Sequence, residues 1–258
     1  MHIHVRNLSA VASAALVLCA IGGASRAAGP AVIPGYIQTA VAEPTRPERD
    51  RQRDADRKPE QVIAFADIKP GDQVAELMPG GGYFTRIFCR VVGPSGHVYA
   101  VSVTPAVKRE RPASADADQV AANPCTNVTA DSKQAAEFSL PDGLDVVWTS
   151  ENYHDLHNKM FGTPDMKAFD TAIFKALKPG GVFVVEDHAA QAGSGARDTE
   201  TLHRIDAKLV RREVTSAGFV FVAASDVLRN AGDPHTAAVF ELHGKSDKFL
   251  LKFRKPKR

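Results

Sequence analysis

The chain has 258 residues, of which 44% are hydrophobic and 24% charged, with 19 Gly, 16 Pro, three Cys and a formal charge of +2. That balance excludes a collagen-like, disulfide-dense or wholly disordered protein and suits one globular domain or two small ones. The excess positive charge belongs to one end of the chain. Residues Met1 to Ala27 read as a secretory signal, with the basic start MHIHVR, the apolar run Leu8 to Ala24, and Ser25-Arg26-Ala27 as a small-x-small cleavage site. The segment carries Arg6 and Arg26 and no acid, so its removal leaves 231 residues with 30 basic and 30 acidic side chains.

A neutral mature chain has no electrostatic bias toward nucleic acid or anionic lipid. The expected partner is a small molecule, with no nucleic acid and no stable membrane insertion after cleavage, and the expected location is periplasmic or secreted. The apolar run is short for a span of ~20 residues. Cys19 leaves with the signal. The remaining Cys89 and Cys125 can form one disulfide in an oxidising compartment or stay as two buried thiols, and the sequence leaves both open.

In chain order, residues 28–47 are rich in Pro, Gly and Ala, lack periodicity and read as a linker before a domain over 48–258. Glu48 to Lys58 (ERDRQRDADRK) is a dense charge run, either a solvated helical face or a lid over a pocket, and Pro59 to Phe65 predicts a short helix with Pro at its first position. From Asp67 onward short apolar runs alternate with helical patterns, which argues for an α/β fold with a parallel sheet and crossover helices. Strands are expected at Gln73 to Leu77, His97 to Val103, Asn127 to Ala130, Leu144 to Thr149 and Val182 to Glu186. Phe219 to Ala224 and Lys248 to Arg254 should pair as an antiparallel end of the sheet. Helices are expected over Tyr83 to Val92, within Thr104 to Asn123, over Thr163 to Leu177 with Lys178-Pro179-Gly180-Gly181 as its stop, and over Thr199 to Ala217. The last of these carries Leu202, Ile205, Leu209, Val210 and Val214 on one stripe. Its start holds His203, Arg204 and Asp206, and the Gly/Ser-rich Gln191 to Arg197 before it could close as a lid or simply precede a polar helix face.

The densest chemical signal is VAELMPGGGYFTRIF followed by GHVYAVS. An acid at the end of a first strand, a loop of small residues and then a helix is how α/β proteins hold a nucleotide-like cofactor, because glycines admit the ligand to the backbone and the helix start offers free N–H donors. Glu76, Gly80, Gly81 and Gly82 would line that pocket. The order ELMPGGGY, LDVVWTSE, LKPGGVFVVEDH resembles the class I S-adenosylmethionine-dependent methyltransferases, and more closely a group of predicted bacterial methyltransferases that carry signal peptides. The resemblance covers Arg53 to Pro256. It implies a Rossmann-like seven-stranded, mostly parallel sheet with an antiparallel last strand, helices on both faces, and S-adenosyl-L-methionine as cofactor. Two positions depart from the family. Its acid-x-Gly-x-Gly-x-Gly becomes Glu76-x-Met78-x-Gly80-x-Gly82, and Ser102 stands where an acid usually accepts the ribose hydroxyls. A serine lacks the charge-assisted grip of a carboxylate, so cofactor binding is expected to be weakened or rearranged.

Ligands in open α/β sheets sit outside the carboxyl ends of the strands. The fourth strand ends in Thr149-Ser150-Glu151-Asn152-Tyr153-His154-Asp155-Leu156-His157 and the fifth in Glu186-Asp187-His188, which collects histidines and carboxylates on one rim. In one reading His154 or His188 is a general base oriented by Asp155 or Asp187. In another, Asp155, Asp187 and His188 with His154 or His157 bind a divalent metal. A third has these histidines merely capping helix ends. Glu151 is assigned to the cofactor, Asp145 to structure, and Tyr153 to either an acceptor clamp or an aromatic plug. The sequence therefore points to a methyltransferase with a small unidentified acceptor. Its rivals are an exported methyltransferase-like binding protein without catalysis and a metal-dependent enzyme built on the His/Asp rim.

Overall fold

The computed structural model describes Met1 and residues 32–106 and 125–257. Apart from Met1, the segment expected to be a secretory signal and most of the helix expected within Thr104 to Asn123 lie outside the described residues. The strands are β1 (Gln73–Leu77), β2 (His97–Thr104), β3 (Val128–Gln134), β4 (Leu144–Ser150), β5 (Leu177–His188), β6 (Val220–Ser225) and β7 (Lys248–Arg254). They form one sheet in the order β3-β2-β1-β4-β5-β7-β6. β7 runs antiparallel to both β5 and β6, while the pairs on the other side are parallel. The α/β, mostly parallel seven-stranded sheet is as expected, and the chain reverses its winding at β1, which places a crevice beyond the carboxyl ends of β1, β2 and β4.

Helices cover both faces. On one side lie α1 (Gly35–Val41), the short α2 (Glu48–Arg51) and α3 (Asp54–Arg57), α4 (Pro59–Ala66) and α5 (Tyr83–Val92); on the other lie α6 (Met166–Ala176), α7 (Thr199–Leu202) and α8 (Ala207–Ser216). Two apolar clusters result, one joining α1, α4 and α5 to Val74, Trp148 and Val184, the other joining α6 and α8 to Ala75, Val147 and Phe183. Trp148 is fully buried with its ring 5.0 Å from Phe84 and 5.6 Å from Phe88, so truncating any of the three would open a cavity costing about 3–5 kcal/mol. α6 starts where Asp165 accepts from the N–H groups of Lys167 and Ala168 at 2.9 and 3.3 Å, an N-cap that places its first turn.

Three segments differ from the sequence reading. Residues 28–47 are not only a linker, because 35–41 form α1, whose Ile37 and Ala40 are buried. The reason lies in α5: its sequence YFTRIFCRVV is buried nearly all round, so the sheet covers one side and α1 and α4 must cover the other. Lys178 to Gly181 do not end a helix in a turn. β5 already begins at Leu177, and these four residues form an irregularity in its pairing with β4 between Leu144 and Val146. The helix expected over Thr199 to Ala217 is broken. His203 takes φ +54°, Ile205 bridges to Ala189 beside β5, the Arg204 guanidinium pairs with buried Asp233 at 2.8 Å, and Asp206 caps α8. Ile205 fits a helical stripe and a sheet edge equally well by polarity; here its N–H donates to the His188 carbonyl and its carbonyl accepts from the Ala190 N–H, both at 3.0 Å, while Arg204 beside it is held by Asp233.

Cys89, on α5, and Cys125, just before β3, form a disulfide with Cα atoms 6.2 Å apart. It lies at the sheet end opposite the crevice. No helix among the described residues is long and apolar enough to cross a membrane.

Candidate active site

A cavity of about 1270 Å³ fills the crevice. Its floor is the loop from Met78 to Gly81; Gly82, expected to line the pocket, instead forms the N-cap of α5 and is not part of the lining. Met78 (φ +51°), Gly80 (φ +53°) and Gly82 (φ +75°) all take the left-handed conformation. Two hydrogen bonds hold Met78 there: its N–H donates to the Val101 carbonyl at 2.8 Å, and the Asn152 side-chain amide donates to its carbonyl at 2.9 Å. A Cβ on Gly80 would meet nothing within 4 Å, so that glycine is there for its backbone angle and leaves the loop open to the cavity. Gly81 lines the same floor, and Ser102 and Thr104 line the wall at the end of β2.

Glu76 lies beneath the loop, buried, and accepts a hydrogen bond from the Thr85 hydroxyl. Burial pushes its pKa up to about 8 against the opposing pull of Thr85, Arg57 and Arg86. Glu151 also lines the cavity, in the left-handed conformation at φ +59°. Its carboxylate pairs with Arg57, with Lys248 at 2.9 Å and with Arg53 at 3.8 Å. Burial would raise its pKa, but Arg57 and Lys248 outweigh that and hold it well below the usual carboxylate range. Beside it, Glu186 has both carboxylate oxygens buried without a hydrogen-bond partner, and burial together with the Glu151 charge raises its pKa.

The charge run 48–58 has both characters: Glu48, Arg51, Gln52, Ala55 and Asp56 face solvent, while Arg49, Asp50, Arg53 and Arg57 line the cavity. α2 and α3 form one wall, where the Arg57 guanidinium sits 4.7 Å from the centre of the Tyr83 ring, the Tyr83 hydroxyl donates to Asp54 at 2.5 Å, and Arg86 pairs with Asp50 at 2.7 Å. Arg53, Arg57, Lys248 and Asn152 therefore join the site although the sequence reading gave them no role. The signal available was Glu151 itself, a carboxylate at a strand end that needs cations once buried.

The other end of the cavity is the rim formed after β4 and β5. The His154 ring nitrogen Nδ1 lies 2.8 Å from Asp187 Oδ1, and its backbone N–H donates to Asp187 Oδ2 at 2.7 Å. Burial disfavours the His154 imidazolium, but Asp187 and Asp155 outweigh it and raise the pKa, while that of Asp187 falls despite its burial. His154 Nε2 turns to His203 Nδ1 at 3.2 Å and to Asp155 Oδ1 at 3.4 Å, and all three residues line the cavity. His188 lines it too, with Nδ1 2.7 Å from Ser246 Oγ, and burial pushes its pKa down to about 4. His157 instead meets Glu213 at 3.0 Å. The metal set Asp155, Asp187, His188 with His154 or His157 is thus not assembled: Asp187 is engaged by His154, and His188 and His157 face other partners. His203 takes a place that sequence reasoning had assigned to a helix. Tyr153 is a plug, fully buried on the far face with its hydroxyl donating to Asp170 at 2.9 Å. Asp145 is structural as expected, bound by the Gln73 N–H and Lys178. The loop Gln191 to Arg197 contributes nothing to the cavity lining and is pinned by the Gly193 N–H donating to Asp206 at 2.8 Å.

A sheet ordered 3-2-1-4-5-7-6, with its cavity over the glycine loop, has close structural counterparts. A SAM-dependent methyltransferase from Aquifex aeolicus superposes with a TM-score of 0.55 at 18% identity, over 76% of this chain and 89% of that one. The geranyl diphosphate C-methyltransferase of Streptomyces coelicolor A3(2), crystallised with S-adenosyl-L-homocysteine, does so with a TM-score of 0.56 at 13% identity, over 84% of each chain. The fold is that of the class I methyltransferases. In sequence, this methyltransferase-fold chain is 26% identical over 127 residues to the protein-L-isoaspartate O-methyltransferase of Ignicoccus hospitalis, across 48% of this chain. The match spans about half, 51%, of that relative's length. No family model matches the chain.

Proposed function

We propose that this protein is an S-adenosylmethionine-dependent methyltransferase with a small-molecule acceptor. The observation that carries the reading is the cavity at the carboxyl ends of β1, β2 and β4, floored by an open glycine loop, in a sheet whose strand order is that of the class I methyltransferases. The residues present fit the cofactor. Gly80 leaves room for it against the backbone with Gly81 beside it in the lining, Ser102 and Thr104 offer hydroxyls to its ribose, and Arg53 offers a cation to its carboxylate. Glu151 lines the same cavity with its charge balanced by Arg57 and Lys248, and it stays assigned to the cofactor. When bound, the cofactor supplies a methyl group on a positively charged sulfur, an electrophile that needs no further activation, so the protein's part is alignment of the acceptor. His154, held by Asp187 and flanked by Asp155 and His203, gathers lone-pair donors at the acceptor end of the same cavity.

Titration calorimetry of the mature chain with S-adenosyl-L-methionine and S-adenosyl-L-homocysteine tests this directly. One-to-one binding of either is expected, and binding of neither would end the reading. We propose further that the chain is exported, on the strength of its first 27 residues. The Cys89–Cys125 disulfide supports an oxidising destination. Cell fractionation with N-terminal sequencing should find a processed chain that starts at Ala28 outside the cytoplasm.

A further inference from the structure

Three lone-pair atoms converge at the rim of the cavity: His154 Nε2, His203 Nδ1 and Asp155 Oδ1. Their separations are 3.2 Å between the two nitrogens, 3.4 Å from His154 Nε2 to the carboxylate oxygen and 3.6 Å from His203 Nδ1 to the same oxygen. Metal–ligand bonds of about 2.0–2.1 Å at tetrahedral angles place ligand atoms roughly 3.3 Å apart, so this triangle already has the size of one face of such a site. A general base would need only one of the three atoms. Protons shared among the two imidazoles and the carboxylate can satisfy these contacts, and a single cation at the centre of the triangle would engage all three atoms at once.

The supporting contacts point the same way. His154 directs Nδ1 at Asp187 Oδ1, 2.8 Å away, which fixes its Nδ1–H tautomer and leaves the Nε2 lone pair for the cavity, the carboxylate–histidine arrangement that orients metal ligands. The Asn158 amide donates to Asp155 Oδ1 at 3.1 Å and steadies that carboxylate. His203 reaches the triangle because the chain breaks between α7 and α8 and holds it at φ +54°, with its ring edge-on to Phe240 at 4.6 Å. The sequence spends backbone strain to put an imidazole there, and strain of this kind collects at functional positions.

We propose that His154, Asp155 and His203 bind one divalent transition-metal ion, with the remaining coordination position open to the cavity. Two imidazoles and one carboxylate suit Zn²⁺ and its first-row neighbours and not Mg²⁺ or Ca²⁺, which prefer all-oxygen surroundings. Three protein ligands with a free position is the pattern of a working site and not of a structural one. If the methyltransferase reading holds, the open position receives an oxygen of the acceptor; that clause alone rests on it.

The test uses the full mature chain, stripped with a chelator and titrated with Zn²⁺ by calorimetry and with Co²⁺ by visible absorption, with no S-adenosyl compound present. One ion per chain is expected, with a tetrahedral Co²⁺ spectrum and no displacement by millimolar Mg²⁺. Asp155→Ala and His203→Asn should each weaken Zn²⁺ binding at least tenfold, the latter chosen because Asn tolerates positive φ. Asp187→Asn should weaken it ~10–100-fold through His154. Circular dichroism melts confirm that each variant is folded. Absence of stoichiometric uptake, or uptake unchanged in both ligand variants, overturns the proposal. Because metal is read without cofactor, that result would leave the methyltransferase reading standing, and failure of cofactor binding would leave the metal site standing.

Discussion

A side chain held at positive φ costs about 1–2 kcal/mol in backbone strain, and Met78 bears it at the floor of the cavity. The family's glycine would take φ +51° freely. Met78 stays because Val101 and Asn152 fix both its backbone groups, and its side chain packs on the apolar cluster beneath β1. Met78→Gly should therefore be nearly neutral, relief of strain offsetting lost packing, whereas Met78→Val should cost about 2 kcal/mol in urea unfolding because a β-branched residue resists that conformation. Glu76 makes a second prediction. Its pKa is raised from 4.5 to about 8 by burial, so the folded chain keeps a proton that the unfolded chain has lost. Its contribution to stability is complete below pH 4.5 and is lost as pH rises toward 8, at up to about 1.4 kcal/mol per pH unit. Melts between pH 6.5 and 8 should show stability falling, and Glu76→Gln should flatten that slope.

Among the elements, the wall made by α2 and α3 is tied to the sheet's end by Arg57, besides its contacts to α5 through Asp50 and Asp54. Arg57 joins α3 to the end of β4 through Glu151 and covers the face of Tyr83. Removing it by Arg57→Ala leaves a buried carboxylate with Lys248 as its nearest cation and should cost about 3 kcal/mol, read by denaturant unfolding, with weaker S-adenosyl-L-homocysteine binding as the wall loosens. The strands themselves were legible in the sequence. β1, β2 and β7 begin and end within a residue of the expected spans, because strands covered by helices on both faces of the sheet are dominated by apolar residues whichever way they run. The rim was legible for a related reason, since ligands gather at strand ends. What could not be read was partnership across the fold. Nothing in the order of residues says which cations reach Glu151. Nor does it say that a helix-like stripe through Leu202 and Ile205 breaks at His203, because polarity alone fits both conformations.

The molecule as a whole separates its staple from its chemistry. The disulfide lies at the amino end of the sheet and the cavity at the carboxyl end. It spans 36 residues of chain, and closing a loop of that length stabilises the folded state by about 4 kcal/mol in the chain-entropy view. Reduction should therefore lower the melting temperature by many degrees while leaving the dissociation constant for S-adenosyl-L-homocysteine, measured on the reduced but still folded chain, within twofold.

The position of β7 also bears on the order in which the sheet can form. Among the described residues β6 pairs with β7 alone, and β7 lies between β5 and β6. While the ribosome is still short of Lys248, the stretch Val182 to His188 is an open edge and Val220 to Ser225 has nothing to pair with. Completion of the described sheet is thus deferred to β7, the last of its strands in chain order. A nascent chain stalled just before that strand would present two unpaired edges rich in valine, the kind of surface through which incomplete chains associate.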